Sequence, residues 1–481
     1  MKRGLLRLFA LGVVCCAMRA SAVVRYVDLN SSFSTPPYTN WSTAATNIQD
    51  AVDVAANGDT VLVTNGVYAT GGQRWFDSGT NRLTVTNSLI LRSVNGPAVT
   101  FIQGYHGPAT NAARCALLTT NAVLSGFTLT NGQSGIGNYP QGGGVYCYSL
   151  SATISNCVLA GNLANYAGGG AYGGTLVNCV LDGNSATNSG GGAYNSALVN
   201  CFLLGNSARN GGGAYSGTLT NCILLGNSAT VEGGGTYTLN NDPVCNCTIV
   251  SNTADSGGGV REGRCYNCVI YYNRAASFPN GHPLLARNCC TIPLQGGTGN
   301  ITNGPAFANL GVGDLHLQSN SPCINSGFNA YSRNSADSDG NQRIVGGTVD
   351  IGAYEFQSPA SVLSYAWAQQ YGLATDGSAD FVDSDGDGFN NWQEWRAGTV
   401  PTDSASALRL SSPTSALTSL SISWQSVTNR TYWLERATNL SSLGLFLTVA
   451  TNIPGQSGTT TFLDSSATNS NSFFYRVGAK E

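Results

Sequence analysis

Short runs of alternating apolar and polar residues recur at a fixed interval through the central part of the chain. Runs such as TLVNCVL, ALVNCFL and TLTNCIL stand between turns rich in Gly, Asn and Ser. Alternation over so few residues, bounded by turn residues, predicts β-strands and not helices. One landmark of the repeat is a triple glycine, which begins at Gly142, Gly168, Gly190, Gly211, Gly233 and Gly257. The other is an Asn-Cys pair, whose cysteines are Cys157, Cys179, Cys201, Cys222, Cys247, Cys268 and Cys289.

Both landmarks recur every 21 to 26 residues, which defines a repeat of about 22 residues. One such unit cannot bury its apolar side chains alone, whereas stacked units share a continuous core. Coils that stack at the spacing of paired strands, about 4.8 Å, form a parallel β-helix. The sequence therefore predicts an all-β solenoid in which each repeat is one rung.

Each repeat cysteine is followed two residues later by an aliphatic residue, as Leu181 follows Cys179. Because alternate residues of a strand share a face, we expect the cysteines to point inwards as a stack of small apolar side chains. Two other uses stay open. A metal site would gather its thiols around one point, and disulfides can form in an exported chain. Cys245 and Cys265, outside the stack on successive rungs, are the predicted disulfide pair.

Asparagine also recurs at two places in each repeat, before the cysteine and within the sequence GNSA. Asparagine side chains satisfy backbone groups of turns. We therefore expect two asparagine columns, each at one corner of the coil.

The start of the chain has the organisation of a secretory signal over residues 1–22. Basic residues precede an apolar run, Leu8–Ala17, and the small-residue sequence Ala-Ser-Ala follows it. The run is shorter than the roughly 20 residues that span a bilayer, so no transmembrane span is expected. Charged residues make up 10% of the chain and the net charge is −3, which argues against a nucleic-acid partner.

The segment 47–68 (NIQDAVDVAANGDTVLVTNGVY) predicts an amphipathic helix, a turn and a strand. It resembles the N-terminal cap and first rung of the right-handed β-helix in the pectin-lyase-like superfamily. The GGGAY and NC repeats resemble those of polymorphic outer-membrane proteins and autotransporter passengers. This resemblance covers about residues 23–305 and implies a right-handed parallel β-helix domain over 23–313. The superfamily mixes lyases, hydrolases and adhesins, so the resemblance leaves the activity open.

Residues 314–358 (DLHLQSNSPCINSG to VDIGAYEF and its flank) resemble the choice-of-anchor segment that closes many exported β-helix proteins. The resemblance implies export or surface display. We expect this segment to form the last rung and cap of the solenoid, ending in the strand VDIGAYEF.

A calcium-binding connector is predicted for residues 359–405. The stretch DSDGDGFNNWQE has acidic residues at loop positions 1, 3, 5 and 12 and glycine at position 6. Ca²⁺ takes six to eight oxygen ligands, and the glycine permits the sharp turn. The predicted ligands are Asp383, Asp385, Asp387, the carbonyl of Phe389, and Glu394. The pattern resembles the calcium loops of dockerins and thrombospondin type 3 repeats, and a solvated acidic loop is the alternative.

Residues 406–481 read as short strands at regular spacing, which predicts a small β-sandwich. The motifs ISW, YWLERAT and FFYRVGA resemble a fibronectin type III or immunoglobulin-like module. Trp424, Tyr432 and Tyr475 are expected in its core.

Candidates for catalysis are few. Polysaccharide lyases of the superfamily use an Arg or Lys base with clustered carboxylates, and the hydrolases use paired carboxylates. The candidates are Glu232 and Asp255, which precede the triple glycines of adjacent rungs, and Arg261 and Glu262, where GGGVREGR departs from the repeat. The alternative for these four residues is a solvated rim.

Five tyrosines follow the triple glycines at the same place: Tyr146, Tyr172, Tyr194, Tyr215 and Tyr237. They are expected to form an outward column, which would offer aromatic surface to sugar rings or to a partner. Stacking among the tyrosines with no ligand is the alternative. The sequence thus favours an exported, cell-surface or outer-membrane-associated protein that binds extracellular polysaccharide or another surface without catalysis. A polysaccharide lyase or glycoside hydrolase is the alternative.

Overall fold

The computed structural model describes residues 22–74, 79–108, 111–135, 139–239, 242–282, 285–416, 419–439, 446–467 and 472–480. The predicted secretory signal therefore lies outside the described residues, apart from Ala22. Among the described residues, no helix is both long enough and apolar enough to cross a membrane.

The predicted parallel β-helix is confirmed, and its rungs pair in register to build long parallel sheets. Sheet A contains Val24–Val27, Thr60–Val63, Ile90–Ser93, Val123–Ser125, Thr153–Ser155, Thr175–Val177, Ala197–Val199, Leu219–Thr220, Pro243–Cys245, Arg264–Tyr266 and Leu285–Arg287. Sheet B contains Gly66–Tyr68, Thr100–Gln103, Thr128–Thr130, Val158–Ala160, Val180–Asp182, Phe202–Leu204, Ile223–Leu225, Thr248–Val250, Val269–Tyr271 and Cys290–Thr291.

Sheet C forms a third side of the coil, and sheet D adds a short strand before it in six rungs, from Leu163 onwards. Sheet C contains Gln73–Arg74, Thr80–Val85, Ala113–Leu118, Val145–Cys147, Ala171–Tyr172, Ala193–Tyr194, Ala214–Tyr215, Thr236–Tyr237, Val260–Arg261 and Gly281–His282. Sheet D contains Leu163–Ala164, Ser185–Ala186, Ser207–Asn210, Ser228–Glu232, Thr253–Ser256 and Arg274–Ser277. The triple glycines form the corner between sheets D and C, where a Cβ on Gly169 would lie 2.3 Å from the carbonyl oxygen of Gly191.

The repeat cysteines line the core as predicted. Cys179, Cys201 and Cys222 have no exposed surface and pack with Leu181 and its equivalents in one continuous apolar cluster. All cysteines of the described chain are free thiols. Burial raises the pKa of Cys157 to about 12, so this thiol stays protonated. The stack is therefore a packing element.

The predicted disulfide between Cys245 and Cys265 is wrong, because the two residues are offset by one position. Cys265 pairs in register with Val244, while Cys245 pairs with Tyr266. An offset of one residue turns a side chain to the other face of a strand. Cys265 accordingly belongs to the core cluster and Cys245 does not.

The asparagines of the GNSA corner form a buried hydrogen-bonded column, as predicted. The amide nitrogen of Asn184 donates to Oδ1 of Asn206 at 2.9 Å and to the carbonyl oxygen of Leu159 at 2.8 Å. The backbone N–H of Asn184 donates to the same Oδ1. The column continues in both directions through Asn162, Asn227, Asn252, Asn273 and Asn280.

The asparagines that precede the cysteines have a different role. Asn178 and Asn200 have φ of 54° and 53°, the left-handed conformation that asparagine tolerates better than most residues. Their side chains form a weaker, exposed column, with Nδ2 of Asn200 donating to Oδ1 of Asn178 at 3.2 Å. At this corner the backbone conformation, more than side-chain hydrogen bonding, accounts for the asparagine.

The N-terminal end of the coil is closed by the predicted helix, which spans Ile48–Asp53. The side chain of Asn47 caps it by accepting a hydrogen bond from the backbone N–H of Asp50. Ile48, Ala51 and Val52 are buried against the first rungs. A short 3-10 helix, Trp41–Thr43, precedes it.

Residues 306–356 fold back along the outside of the coil, and this corrects the expected last rung and cap. An antiparallel pair, Phe307–Asn309 with Asp314–Leu317, is followed by a largely irregular chain, and VDIGAYEF is not a strand. This segment, here called the clasp, covers the outer face of sheet B in its C-terminal rungs, from Phe202 onwards. Ile324 and Ile351 of the clasp share an apolar cluster with Val250, Val269 and other outward residues of that sheet.

Hydrogen bonds also tie the clasp to the coil at residues distant in sequence. Asn267 bonds through its side chain to both the N–H and the carbonyl of Phe328. The N–H of Ala353 donates to Oγ1 of Thr248 at 2.9 Å. The sequence motif DSDGNQRIVGGTVDIGAYEF therefore stabilises a contact with the side of the coil and not with its end.

Buried charges hold the clasp in shape. Arg343 is 1% exposed and donates to the carbonyl oxygens of Asp350 and Gly352. Each carboxylate oxygen of Asp350 and of Glu355 accepts a backbone N–H. Burial nevertheless dominates, and it raises the pKa of Asp350 to about 7 and that of Glu355 to about 8.

The connector and the β-sandwich follow the clasp. The connector has two helices, Tyr365–Gln370 and Asn391–Ala397. Two antiparallel sheets form the sandwich: Thr414–Ala416, Ser419–Ser426 and Gly458–Asp464 in one, and Leu447–Pro454, Thr431–Ala437 and Phe474–Lys480 in the other. The expected core residues Trp424 and Tyr432 are fully buried, and Tyr475 packs against them half-buried.

We predict that Asn206→Ala lowers the free energy of unfolding by about 3 kcal/mol or more. The substitution removes the acceptor of the buried N–H of Asn184 and of one hydrogen of its side-chain amide, and it removes one donor to the carbonyl of Leu181. Each buried group left unpaired costs about 1–3 kcal/mol. Denaturant unfolding measures the loss. Asn210→Ala is the control, because Asn210 is half-exposed. Equal effects of the two substitutions would contradict the buried column.

We predict that stability falls as pH rises through about 7 to 8. The folded pKa values of Asp350 and Glu355 lie above their unfolded values, so the folded state binds more protons and loses this advantage on deprotonation. Thermal unfolding between about pH 5.5 and 9 measures the slope. Glu355→Gln should flatten it, and Asp182→Asn, an exposed carboxylate on sheet B, should not. An unchanged slope in Glu355→Gln would refute the assignment.

Candidate functional site

The predicted tyrosine column lies on the outer face of sheet C. The rungs pair in register, so Tyr146, Tyr172, Tyr194, Tyr215 and Tyr237 stand directly above one another. The preceding residues, such as Ala171 and Ala193, point into the core. Since the clasp covers sheet B, this column runs along a face that the clasp leaves open.

The tyrosine rings stack on one another, which changes what they offer to a ligand. Centroids of Tyr146, Tyr172, Tyr194 and Tyr215 are 5.1–5.3 Å apart with interplanar angles of 2–6°. Tyr237 meets Tyr215 edge-on at 61°. Each inner ring therefore has a neighbour against both faces. The column presents ring edges and hydroxyl groups, and not the flat aromatic platform expected from the sequence.

Partial burial in the column raises the pKa of each hydroxyl. For Tyr146 burial raises the pKa to about 12, and for Tyr172 and Tyr194 burial raises it in the same direction. These phenols stay protonated at neutral pH. Each can then both donate and accept a hydrogen bond, so the column carries a row of neutral polar groups at the spacing of the rungs.

Arg114 closes the N-terminal end of the column. It is fully buried, its guanidinium lies 5.6 Å from the ring centroid of Tyr146, and it donates to backbone carbonyls of Gln141 and Tyr139. Burial lowers its pKa to about 10, which leaves it charged at neutral pH. Its role is to anchor the end of the stack.

A charged cluster closes the other end and contains three of the four predicted catalytic candidates. Arg261 follows Tyr237 in the column. Its Nε donates to Glu232 at 2.9 Å, its Nη1 lies 3.7 Å from Glu262, and Nη1 also donates to the carbonyl oxygen of His282. The guanidinium is thus bonded to carboxylates and to backbone, which is the arrangement of a structural ion pair and not of a free base.

Asp255 does not join this cluster. In sheet D the partner of Glu232 is Ser256, one residue further on, so the side chain of Asp255 leaves the sheet on the other face. It is exposed. Among the described candidates, the two carboxylates that come together are those of Glu232 and Glu262, and both are ion-pair partners of Arg261.

Three residues beside the column are absent from the sequence-based candidates. His282 extends it, since Gly281–His282 pairs in register with Val260–Arg261, and its ring stacks on Phe278 at 3.7 Å. The sequence does contain a signal for His282, because this residue follows a glycine and stands one repeat length after Arg261. Tyr166 and Arg209 lie at equivalent places two residues before a triple glycine, and both are exposed. Tyr166 contributes to the raised pKa of Tyr172, Tyr194 and Tyr215, which places it beside the stack.

The predicted calcium loop has the geometry of a cation site. Asp383, Asp385 and Asp387 bring one carboxylate oxygen each within 4.8 Å of one another. The carboxylate of Asp383 also accepts the backbone N–H groups of Gly386 and Gly388 at 2.8 and 2.9 Å, which fixes the turn. The N–H of Phe389 donates to Asp387, and the carbonyl of Phe389 stays a predicted ligand.

Buried oxygens without partners favour a bound cation over a solvated loop. One carboxylate oxygen each of Asp385, Asp387 and Glu394 is buried and has no hydrogen-bond partner, which is costly for a charged group. Glu394 begins the second turn of the helix Asn391–Ala397 and is 1% exposed. Burial, and then the charges of Asp385 and Asp387, raise its pKa to about 7. These residues could hold a hard cation with oxygen ligands, such as Ca²⁺.

Two solved structures to which this chain is similar are distant neighbours. No family model and no curated protein matches the chain. Among solved structures, the pectate lyase Pel9A aligns over 70% of this chain and 97% of its own, with 14% identity and a TM-score of 0.43. A rhamnogalacturonan lyase aligns over 67% and 95%, with 12% identity and a TM-score of 0.32. Both are too distant, in sequence and in superposition, for their activities to be transferred to this chain.

Proposed function

We propose that this chain is an exported β-helix protein that binds an extended extracellular polysaccharide along the outer face of sheet C. The observation that carries the proposal is the tyrosine column. Tyr146 is buried, at 7% exposed, but the other four tyrosines are half-buried and their neutral hydroxyl groups recur on four successive rungs. A pyranose chain repeats on a comparable length scale, so successive sugars can meet successive hydroxyls. Binding by neutral hydrogen bonds also suits a chain with few charges.

Tyr166 and Arg209 supply what the stacked rings lack. The faces of the inner rings are covered by their neighbours, whereas Tyr166 is 47% exposed and offers a ring against which a sugar can pack. Arg209 is exposed at the equivalent position two rungs further along. A polymer bound to the hydroxyl row could contact both side chains.

Cleavage of the polysaccharide is the second candidate function. It is favoured by one feature, the presence of Arg261 and His282 at the end of the same column. The ion pairs of Arg261 with Glu232 and Glu262 work against it. The two carboxylates stabilise the protonated guanidinium, whereas a general base must be deprotonated to accept a proton. Non-catalytic retention of the polymer is therefore the main proposal.

We also propose that the connector binds Ca²⁺ and that the ion has a structural role. The loop contacts the sandwich directly, since Nη2 of Arg409 donates to the carbonyl oxygen of Asp387 at 3.0 Å. The helix that begins after the loop is held by Arg430, which donates to the carbonyl oxygens of Trp395 and Arg396. Ordering of the loop by Ca²⁺ would thus also fix the position of the sandwich.

We predict that replacing Tyr172, Tyr194 and Tyr215 together by Phe weakens polysaccharide binding about tenfold or more. The substitution keeps the stack and removes three hydroxyls, each worth about 1 kcal/mol in a hydrogen bond. Affinity electrophoresis against a panel of neutral polysaccharides measures retention. Tyr432→Phe in the sandwich is the matched control.

The two candidate functions give opposite results with a second variant. Replacing Glu262 by Gln and His282 by Asn should leave retention unchanged if the column binds without catalysis. Loss of bond cleavage in this variant, together with normal retention in the phenylalanine variant, would replace the binding proposal by the enzymatic one. Cleavage is followed by the appearance of reducing ends.

We predict that Ca²⁺ raises the unfolding temperature of the C-terminal modules. Calcium at about 100 times its dissociation constant stabilises the folded state by about 2.7 kcal/mol. Glu394→Gln should abolish the difference between calcium and EDTA, whereas Asp376→Asn, an exposed carboxylate in the same connector, should preserve it. Calorimetry measures both. Identical wild-type transitions in calcium and EDTA would refute the site.

A further inference from the structure

A second concave surface lies at the opposite end of the molecule from the N-terminal cap. It is a cleft of about 900 Å³ between the last rungs, the clasp, the connector helix Tyr365–Gln370 and the sandwich. This volume is in the range of ligand-binding pockets, about 300–1,000 Å³. The cleft is separate from the tyrosine column, since no column residue lines it.

The charges of this cleft have one sign. Arg287, Arg430 and Lys480 line it, and none of its described lining residues is acidic. This is unusual in a chain with 25 acidic and 22 basic residues. Lys480 is also the single lysine after residue 2. Arg287 and Lys480 are exposed on this concavity, and its described lining contains no carboxylate. Two cations in such a position favour an anionic ligand.

The uncharged lining has the chemistry that recognises sugars. The indole of Trp367 and the phenol of Tyr331 are half-buried in the wall and can pack against pyranose rings. Amide side chains, such as those of Asn300 and Gln369, can donate to and accept from hydroxyl groups.

One contact orients a cation of the wall. The hydroxyl of Tyr331 accepts from Nη1 of Arg287 at 3.2 Å and so holds this guanidinium beside the phenol ring.

We infer that this cleft binds an acidic oligosaccharide, with Arg287 and Lys480 contacting its anionic groups and Trp367 packing on a sugar ring. The anionic groups are carboxylates of uronic acids or sulfate esters, which share the same recognition chemistry. The inference deepens the proposed function, because it gives the protein a second, charge-selective site for the ends or branches of an extracellular polymer.

The test is titration calorimetry on the full mature chain with three probes: a uronic-acid trisaccharide, a sulfated disaccharide and a neutral trisaccharide. We expect one of the acidic probes to bind and the neutral probe to bind at least about tenfold more weakly, since each charge-assisted hydrogen bond contributes on the order of a tenfold change in affinity. Arg287→Gln with Lys480→Gln should reduce acidic binding at least about tenfold. Arg264→Gln with Arg274→Gln removes the same charge from exposed positions outside the cleft and should leave it unchanged.

Other outcomes overturn the inference. These are equal binding of neutral and acidic probes, acidic binding that survives the cleft variant while its unfolding temperature is unchanged, or tighter binding of a single-stranded oligonucleotide. Trp367→Ala gives an independent check, because it removes the packing surface and keeps every charge. Absence of acidic binding at the cleft can be distinguished from failure of the proposed function. The tyrosine-to-phenylalanine variant tests the column with neutral polymers, and it contains the intact cleft.

Discussion

In-register parallel pairing between successive rungs is the interaction on which the rest of the structure depends. Each backbone hydrogen bond between rungs fixes a residue directly above its equivalent in the previous repeat. Equivalent residues of successive repeats therefore form a column along the coil. A substitution in one repeat changes one member of that column. The cysteine stack, the buried asparagine column and the tyrosine stack are three consequences of the same pairing.

The corners of the coil place the strictest demands on residue type. At the D–C corner the chains approach so closely that Gly169 has no room for a Cβ beside Gly191. At the GNSA corner, backbone groups are buried and only a side chain with both donor and acceptor can satisfy them, as Asn206 does. At the third corner the backbone takes a left-handed conformation at Asn200. Most residues of the repeated motif are thus those that the corners require, which explains why the motif predicts the fold well and the function poorly.

This origin also explains which features were predictable from the sequence. Columns follow from the period, so the inward cysteines and the tyrosine column needed only an alignment of repeats. The disulfide prediction failed because a repeat length known only as about 22 residues does not reveal a shift of one residue between Cys245 and Cys265. The clasp was misplaced because its partners on sheet B, such as Asn267 and Thr248, are distant in sequence and look like ordinary repeat residues. Tyr166 and His282 were missed because they break the repeat and do not follow it.

The clasp decides which surface can meet a ligand. By covering the outer face of sheet B with Ile324, Ile351 and their neighbours, it withdraws an otherwise exposed apolar sheet and leaves sheet C available. On sheet C the repeated tyrosines give a uniform row, and a uniform row can hold a polymer but cannot choose a position along it. In the proposed function, selectivity therefore depends on residues that the repeat does not supply, and the candidates are Tyr166, Arg209 and, at one end of the column, Arg261. The repeat would supply affinity for a polymer, and the departures from the repeat would supply the choice of position along it.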